Sequence, residues 1–139
     1  MKFILVYAMG FFAVAAGAQS TLDSVVVGKW ETVNVQVLED SITDEQKQVY
    51  LQMDEALLRS SFEFLADRNF NFYCPIREIE IQNGHWKTTP GTGEVLIQEW
   101  HDKDSERSVL MGIDVKTRNG KTFFFLQGTP FLLQVERTK

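Results

Sequence analysis

The residues with the most obvious capacity for chemistry lie between positions 99 and 106. Glu99, His101, Asp102, Asp104 and Glu106 are close together in the sequence. The spacing Asp102-x-Asp104-x-Glu106 faintly suggests a calcium loop, whose ligands are carboxylate oxygens. The segment lacks the glycine and the later bidentate glutamate that complete such a loop. It is therefore interpreted as a solvated, charged hairpin tip, and no metal site is predicted.

No other group of residues predicts catalysis. No serine lies in the strained turn that presents a hydrolase nucleophile, and no glycine-rich phosphate loop opens a helix. The spacing of the acidic residues does not exclude a pair of catalytic carboxylates like that of a glycosidase, although nothing in the sequence selects one pair. The sequence therefore predicts a protein that is not an enzyme and that has no cofactor.

Aromatic side chains are the main candidates for binding. Together with a few polar residues they could line an apolar pocket in which the polar groups fix the orientation of a small ligand. The ligand-binding candidates are Thr32, Asn34, Tyr50, Phe64, Phe72, Trp86, Trp100 and Phe125. The alternative is that these rings simply fill a core, because small barrels are either filled by side chains or hold one small ligand.

The first element that would position these residues is a strand from about Val26 to Leu38. Its alternation places Val33, Val35 and Val37 on one face. Trp30, Thr32, Asn34 and Gln36 then share the other face. Bulky residues on both faces indicate either a β-bulge, or a strand whose outer face is covered and whose inner face lines a partly polar cavity.

One helix is predicted after this strand, from Asp44 to Arg59. Thr43 and Gln46 have the spacing of a capping box, which satisfies the first free N–H groups of a helix. Apolar residues then recur at spacings of three and four, as on the buried side of an amphipathic helix. They are Val49, Tyr50, Met53, Ala56 and Leu57.

From Ser61 onwards the apolar period becomes two, which is typical of strands. Turn signals separate the strands, including Asp67-Arg68-Asn69, Asn83-Gly84 and Asn119-Gly120. The interval Val95–Trp100 is predicted as one strand. Consecutive short strands form an antiparallel up-and-down meander, and closing it into a barrel removes its edges. The predicted fold is all-β, a barrel of eight to nine strands with one helix between the first two.

With these features the chain resembles the calycin superfamily, and more closely the small secreted lipocalin-like domains of bacteria. The resemblance rests on Gly28-Lys29-Trp30, Phe62-Glu63-Phe64 and Gly84-His85-Trp86. It implies that Trp30 packs at the closed end of the barrel beside Gly28, and that Arg137 in the last strand lies across its indole ring. The chain departs from lipocalins in having no helix after the last strand. Its helix instead has the position of the lid in fatty-acid-binding proteins.

The N-terminal residues 1–18 have the layout of a cleaved signal peptide. Lys2 is followed by an apolar run and by Ala16-Gly17-Ala18 before Gln19. The expected mature domain is 19–139, secreted or periplasmic, soluble and not lipid-anchored. Without Lys2 it carries 13 basic and 19 acidic residues, a net charge of −6 that disfavours nucleic acid as a partner. No membrane insertion is expected after cleavage, and the single cysteine, Cys74, is expected to be a buried apolar residue.

Two functions follow as hypotheses. The first is a lipocalin-like protein that binds a small hydrophobic ligand inside the barrel. The alternative is a non-enzymatic protein-interaction module whose barrel core is filled. Its binding surface would be the outer face of the helix or the acidic segment Asp102–Glu106. The protein partner itself is not predicted.

Overall fold

A computed structural model describes residues 22–38, 43–76, 79–105 and 108–138. The predicted signal peptide lies outside the described residues, as does Glu106. No helix in these ranges is both long and apolar enough to cross a membrane. The strands are β1 (Gly28–Val37), β2 (Ser61–Phe64), β3 (Asn69–Tyr73), β4 (Ile81–Thr88), β5 (Glu94–Gln98), β6 (Val109–Arg118), β7 (Lys121–Leu126) and β8 (Phe131–Arg137). The main helix (Asp44–Leu58) lies between β1 and β2.

The eight strands form one closed barrel in sequence order. Each strand pairs antiparallel with the next, and β1 closes the barrel by pairing with β8. The predicted all-β meander with one helix after its first strand is therefore confirmed, with eight strands in the described residues. Closure pairs all strand edges, so the residues of the outer face become the main surface of the domain.

The main helix begins as predicted. The hydroxyl of Thr43 accepts from the Gln46 amide, and the Gln46 side chain accepts from the Thr43 amide. Ala56 and Leu57 are buried against the barrel, and Tyr50 packs edge-on against Phe131 at the start of β8. The helix thus covers one end of the barrel, mainly with its last two turns.

The predicted apolar face of the helix was too wide. Val49 is 56% exposed, and Leu51 beside it is also exposed. The helix ends at Leu58, one residue earlier than predicted, because Arg59 forms the C-cap with a non-helical backbone. The other four residues of the predicted face, Tyr50, Met53, Ala56 and Leu57, are buried in the core or packed against it, so the predicted face is confirmed except at Val49.

A β-bulge in β1 decides which of its residues face inwards. The pairing with β8 shifts between Thr32 and Asn34, which leaves Val33 as the additional residue. Thr32 is buried, Val33 and Asn34 are exposed, and Val35 packs against the core. The predicted common face of Val33, Val35 and Val37 is therefore wrong, because the bulge reverses the alternation half-way along the strand.

The two Asn-Gly sequences have different structures. Asn119 and Gly120 have φ of 54° and 77° and connect β6 to β7, as the hairpin signal predicted. Asn83-Gly84 forms no hairpin turn, because β4 continues through it from Ile81 to Thr88. Asn83 has a φ of 57°, and the pairing with β3 is irregular here. The left-handed residue bends one strand and does not end it.

The core consists mainly of aromatic rings that contact one another across the barrel. Phe124 on β7 lies 5.2 Å from Phe62, 6.0 Å from Phe64 and 5.6 Å from Trp30 between ring centroids. All four rings are buried. Edge-to-face and tilted ring pairs at these distances are favourable, so this cluster joins β1, β2 and β7 through their inner faces.

Candidate functional site

The barrel interior contains three of the predicted ligand-binding residues, Phe64, Phe72 and Trp86. Each is about 1% exposed. Phe64 packs edge-on against Trp86 at 5.7 Å, and Phe72 lies 4.8 Å from Phe62. Because these rings contact each other directly, the volume that a ligand would need around them is filled by side chains.

The remaining predicted residues lie elsewhere. Thr32 is buried beside Ser60, with 2.9 Å between the two hydroxyls. Asn34 is exposed on the outer face after the bulge, and Tyr50 contacts Phe131 from the helix. Trp100 is 40% exposed, because β5 ends at Gln98 and Trp100 lies in a short 3₁₀ turn. The structure therefore does not bring the eight predicted residues into one pocket.

Phe125 belongs to an apolar groove on the outer surface. Phe124 and Leu126 face the core, so Phe123 and Phe125 face outwards. Phe125 pairs with Leu132 on β8, which pairs with Gln36 on β1. The groove has a volume of about 470 Å³. Its lining residues are Gln36, Leu38, Asp114, Lys116, Arg118, Phe123, Phe125 and Leu132.

The charges along this groove are unevenly compensated. Asp114 accepts a hydrogen bond of 2.9 Å from the Gln127 amide, which also donates to Glu94 at 2.8 Å. Lys116 and Arg118 are exposed, and neither has an ion-pair partner among the described residues. The groove therefore combines an apolar floor with free positive charge.

The opposite end of the barrel from the helix is closed by two arginine–tryptophan contacts. Arg137 Cζ lies 4.7 Å from the centre of the Trp30 ring, which is the contact that the resemblance implied. Gly28 has a φ of 134°, and a Cβ there would lie 3.2 Å from Arg137 Nη1. Glycine is the residue that tolerates both the backbone conformation and the close approach.

The second contact has the same form. Arg68 Cζ lies 4.2 Å from the centre of the Trp86 ring, which belongs to the other Gly-x-Trp sequence. Each indole N–H donates 2.8 Å to a backbone carbonyl, Trp30 to Val26 and Trp86 to Leu65. Arg68 also forms an ion pair of 2.7 Å with Asp23, which joins the segment before β1 to this end. No sequence signal predicted the Arg68 contact, because Arg68 lies in a turn.

A polar pair is buried on the outside of β4 and β5. His85 and Gln98 are cross-strand partners, and the segment 99–105 covers them. Trp100 packs edge-on against His85 at 4.6 Å between ring centroids. Gln98 Nε2 donates to the carbonyls of Asp102 and Ser105. His85 Nδ1 and Gln98 Oε1 have no partner within the described residues.

The surroundings of His85 favour its neutral form. Burial lowers the pKa of His85 from its usual value, and the nearby charges of Lys87, Arg68 and Lys103 lower it further, while Asp104 opposes them. Because the unfolded chain then takes up a proton at a higher pH than the folded chain, protonation destabilises the fold. The contribution of neutral His85 is present above the ordinary histidine pKa of about 6.5 and is lost as the pH falls below it.

We therefore expect His85→Gln to reduce the acid sensitivity of the fold. The free energy of unfolding, measured in urea at pH 7.5 and pH 5, should fall less in this variant than in the wild type. His101→Gln is the matched control, because His101 is 75% exposed. An equal loss in all three proteins would contradict a role for His85 in the pH dependence.

The acidic segment after β5 does not assemble a metal site in its described part. His101 Nε2 lies 3.2 Å from Asp102, and its Nδ1 lies 4.0 Å from Glu99. Within the described ranges, no cluster of three or more histidine, cysteine or acidic side chains could hold a metal ion. Cys74 is buried, and burial raises the pKa of its thiol.

Comparisons with known proteins add no relative. At a significant level the chain matches no protein-family model, no curated protein and no solved structure.

Proposed function

We propose that this protein is an exported, non-enzymatic binding protein of the calycin type that binds through the outside of its barrel. Support for the calycin assignment comes from the meander, the helix between β1 and β2, and the Trp30–Arg137 contact. Support for export comes from the layout of residues 1–18.

The observation that carries the proposal is the contrast between interior and exterior. Phe62, Phe64, Phe72 and Phe124 fill the interior with ring-to-ring contacts. On the outside, Phe123 and Phe125 line a groove. The outward-facing residues of an antiparallel strand are normally polar. Aromatic residues kept at an outer surface are typical of binding sites. The geometry thus favours the hypothesis of a filled barrel over a ligand held inside it.

The site can be tested with the uncharged fluorescent probe N-phenyl-1-naphthylamine. We expect the wild type to enhance the emission of the probe. Phe125→Asn should weaken the binding at least several-fold by removing part of the apolar floor of the groove. Losing the buried area of one aromatic ring removes roughly 1–3 kcal/mol of apolar burial.

Tyr73→Asn provides the matched control. Tyr73 is an aromatic residue of the outer face on β3, 55% exposed, and it does not line the groove. This variant should bind the probe like the wild type. If the wild type does not bind the probe, or if Phe125→Asn binds it unchanged, the proposal that the groove is the binding site fails.

A further inference from the structure

We infer that the groove takes a single amphiphile with an apolar chain and an anionic head group. This inference rests on the proposed function and adds the chemical class of the ligand. The chain would lie on Phe123, Phe125, Leu132 and Leu38, and the head group would lie near Lys116 and Arg118.

The order of residues along the strands gives the groove a direction. On the outer face, Phe125 pairs with Asp114 and Phe123 pairs with Lys116. Arg118 pairs with Lys121 at the end of the same hairpin. Going along β7 from Phe125 to Lys121, the surface therefore changes from apolar to basic over roughly 14 Å, at about 3.4 Å per residue. An amphiphile with an extended apolar tail and a charged group at one end has the same order of apolar and charged parts.

The sign of the head group follows from the charges that are not compensated. Asp114 is the one acidic residue of the lining, and the Gln127 amide already donates to it. Lys116 and Arg118, the two basic residues of the lining, are exposed and have no ion-pair partner in the described part of the chain. In a protein of net charge −5 these two cations form a local positive site. An anion is attracted to it, and a cation is repelled by it.

The size and shape of the groove favour one small molecule over a larger partner. Four apolar side chains cover much less than the roughly 800 Å² that each partner contributes to a standard protein interface. A membrane surface is bound by aromatic residues that protrude. Phe123 and Phe125 are instead half-buried in the floor of a concave surface of about 470 Å³. This volume lies within the range of pockets for small molecules.

The experiment compares three probes, each with an unbranched ten-carbon chain, below their micellar concentrations. Decanoate, decanol and decyltrimethylammonium carry an anionic, a neutral and a cationic head group, and each competes with N-phenyl-1-naphthylamine for the wild-type protein. Decanoate should displace the probe at a severalfold lower concentration than decanol, since two exposed charge contacts of about 0.2–1 kcal/mol each reach that factor. Decyltrimethylammonium should be the weakest competitor.

A pair of charge variants tests the position of the head group. Lys116→Gln should weaken decanoate about two- to fivefold and leave decanol unchanged, because a single exposed ion pair contributes about 0.2–1 kcal/mol. Lys47→Gln removes the same charge from the exposed start of the main helix and should change neither. Raising the salt concentration should reduce the advantage of decanoate over decanol.

Several results would overturn the inference. If decanol competes as well as decanoate, or if Lys47→Gln has the same effect as Lys116→Gln, the head group does not bind at the basic end. If the protein sediments with anionic vesicles but binds no monomeric decanoate, the occupant is a membrane. If the wild type is a dimer that Phe125→Asn dissociates, a second copy covers the groove. If only the head-group tests fail, binding of N-phenyl-1-naphthylamine still supports the proposed function. If the protein binds none of the probes, both the inference about the ligand and the proposed function fail.

Discussion

Replacing Phe124 by alanine is expected to lower the free energy of unfolding by about 3–5 kcal/mol. Its ring is fully buried and contacts the rings of Trp30, Phe62 and Phe64. The four rings come from three strands, so neighbouring side chains cannot move together to close the space that the substitution leaves. Urea unfolding followed by far-ultraviolet circular dichroism measures the effect.

Phe125→Ala is the control for this prediction, because it removes the same side chain one position along β7. Phe125 is only half-buried and lies on the outer face. We expect a cost of about 1 kcal/mol, within the range of substitutions outside the core. Equal costs at positions 124 and 125 would mean that the inner and outer faces of β7 are wrongly assigned.

Trp30→Ala is expected to destabilise the fold by about 3–5 kcal/mol, as for other buried aromatic residues. Arg137→Ala should cost about 1–2 kcal/mol, because Arg137 also donates hydrogen bonds to the carbonyls of Val25 and Val27. The double variant should cost less than the sum by about 0.5–2 kcal/mol, the range of a cation–π contact. The difference is measured by a double-mutant cycle of urea unfolding.

A cation at the other end of the barrel supplies the control for this cycle. Lys47 is exposed at the start of the main helix, so Lys47→Ala should add its cost independently to that of Trp30→Ala. Arg137→Lys keeps the charge but loses the planar guanidinium, and it should recover only part of the coupling. Strict additivity of Trp30→Ala and Arg137→Ala would show that the two side chains do not stabilise each other.

The architecture could be predicted from the sequence because its signals are local. The capping box at Thr43 marks the helix start, and Asn119-Gly120 marks a hairpin. The period of two from Ser61 onwards predicts strands, and closure follows from the need to pair edges. The hairpin predicted at Asn83-Gly84 is wrong because a bulge and a hairpin turn use the same left-handed residues. Only the pairing of β4 with β3 distinguishes a bulge from a turn at this position.

The candidate site could not be predicted, because it depends on which strands lie side by side. The groove collects residues of β1, β6, β7 and β8, which are far apart in the sequence. Phe123, Phe124 and Phe125 are chemically identical, and the register alone decides that the middle one faces inwards. The burial of His85 depends in the same way on a segment that folds back over β4 and β5.

Val33 differs from the other residues of β1 in what its removal would do. As the additional residue of the bulge, it is 42% exposed and faces solvent, so many side chains would be accepted there. Deleting it would let β1 pair regularly with β8, and Trp30, Thr32 and Val35 would still face inwards, because they alternate with a period of two in the shortened strand. Deleting Glu31 would instead turn either Trp30 or Thr32 out of the interior. Descendants of this sequence should therefore vary freely at position 33 and could lose that residue, whereas the regularly paired part of β1 should keep its length.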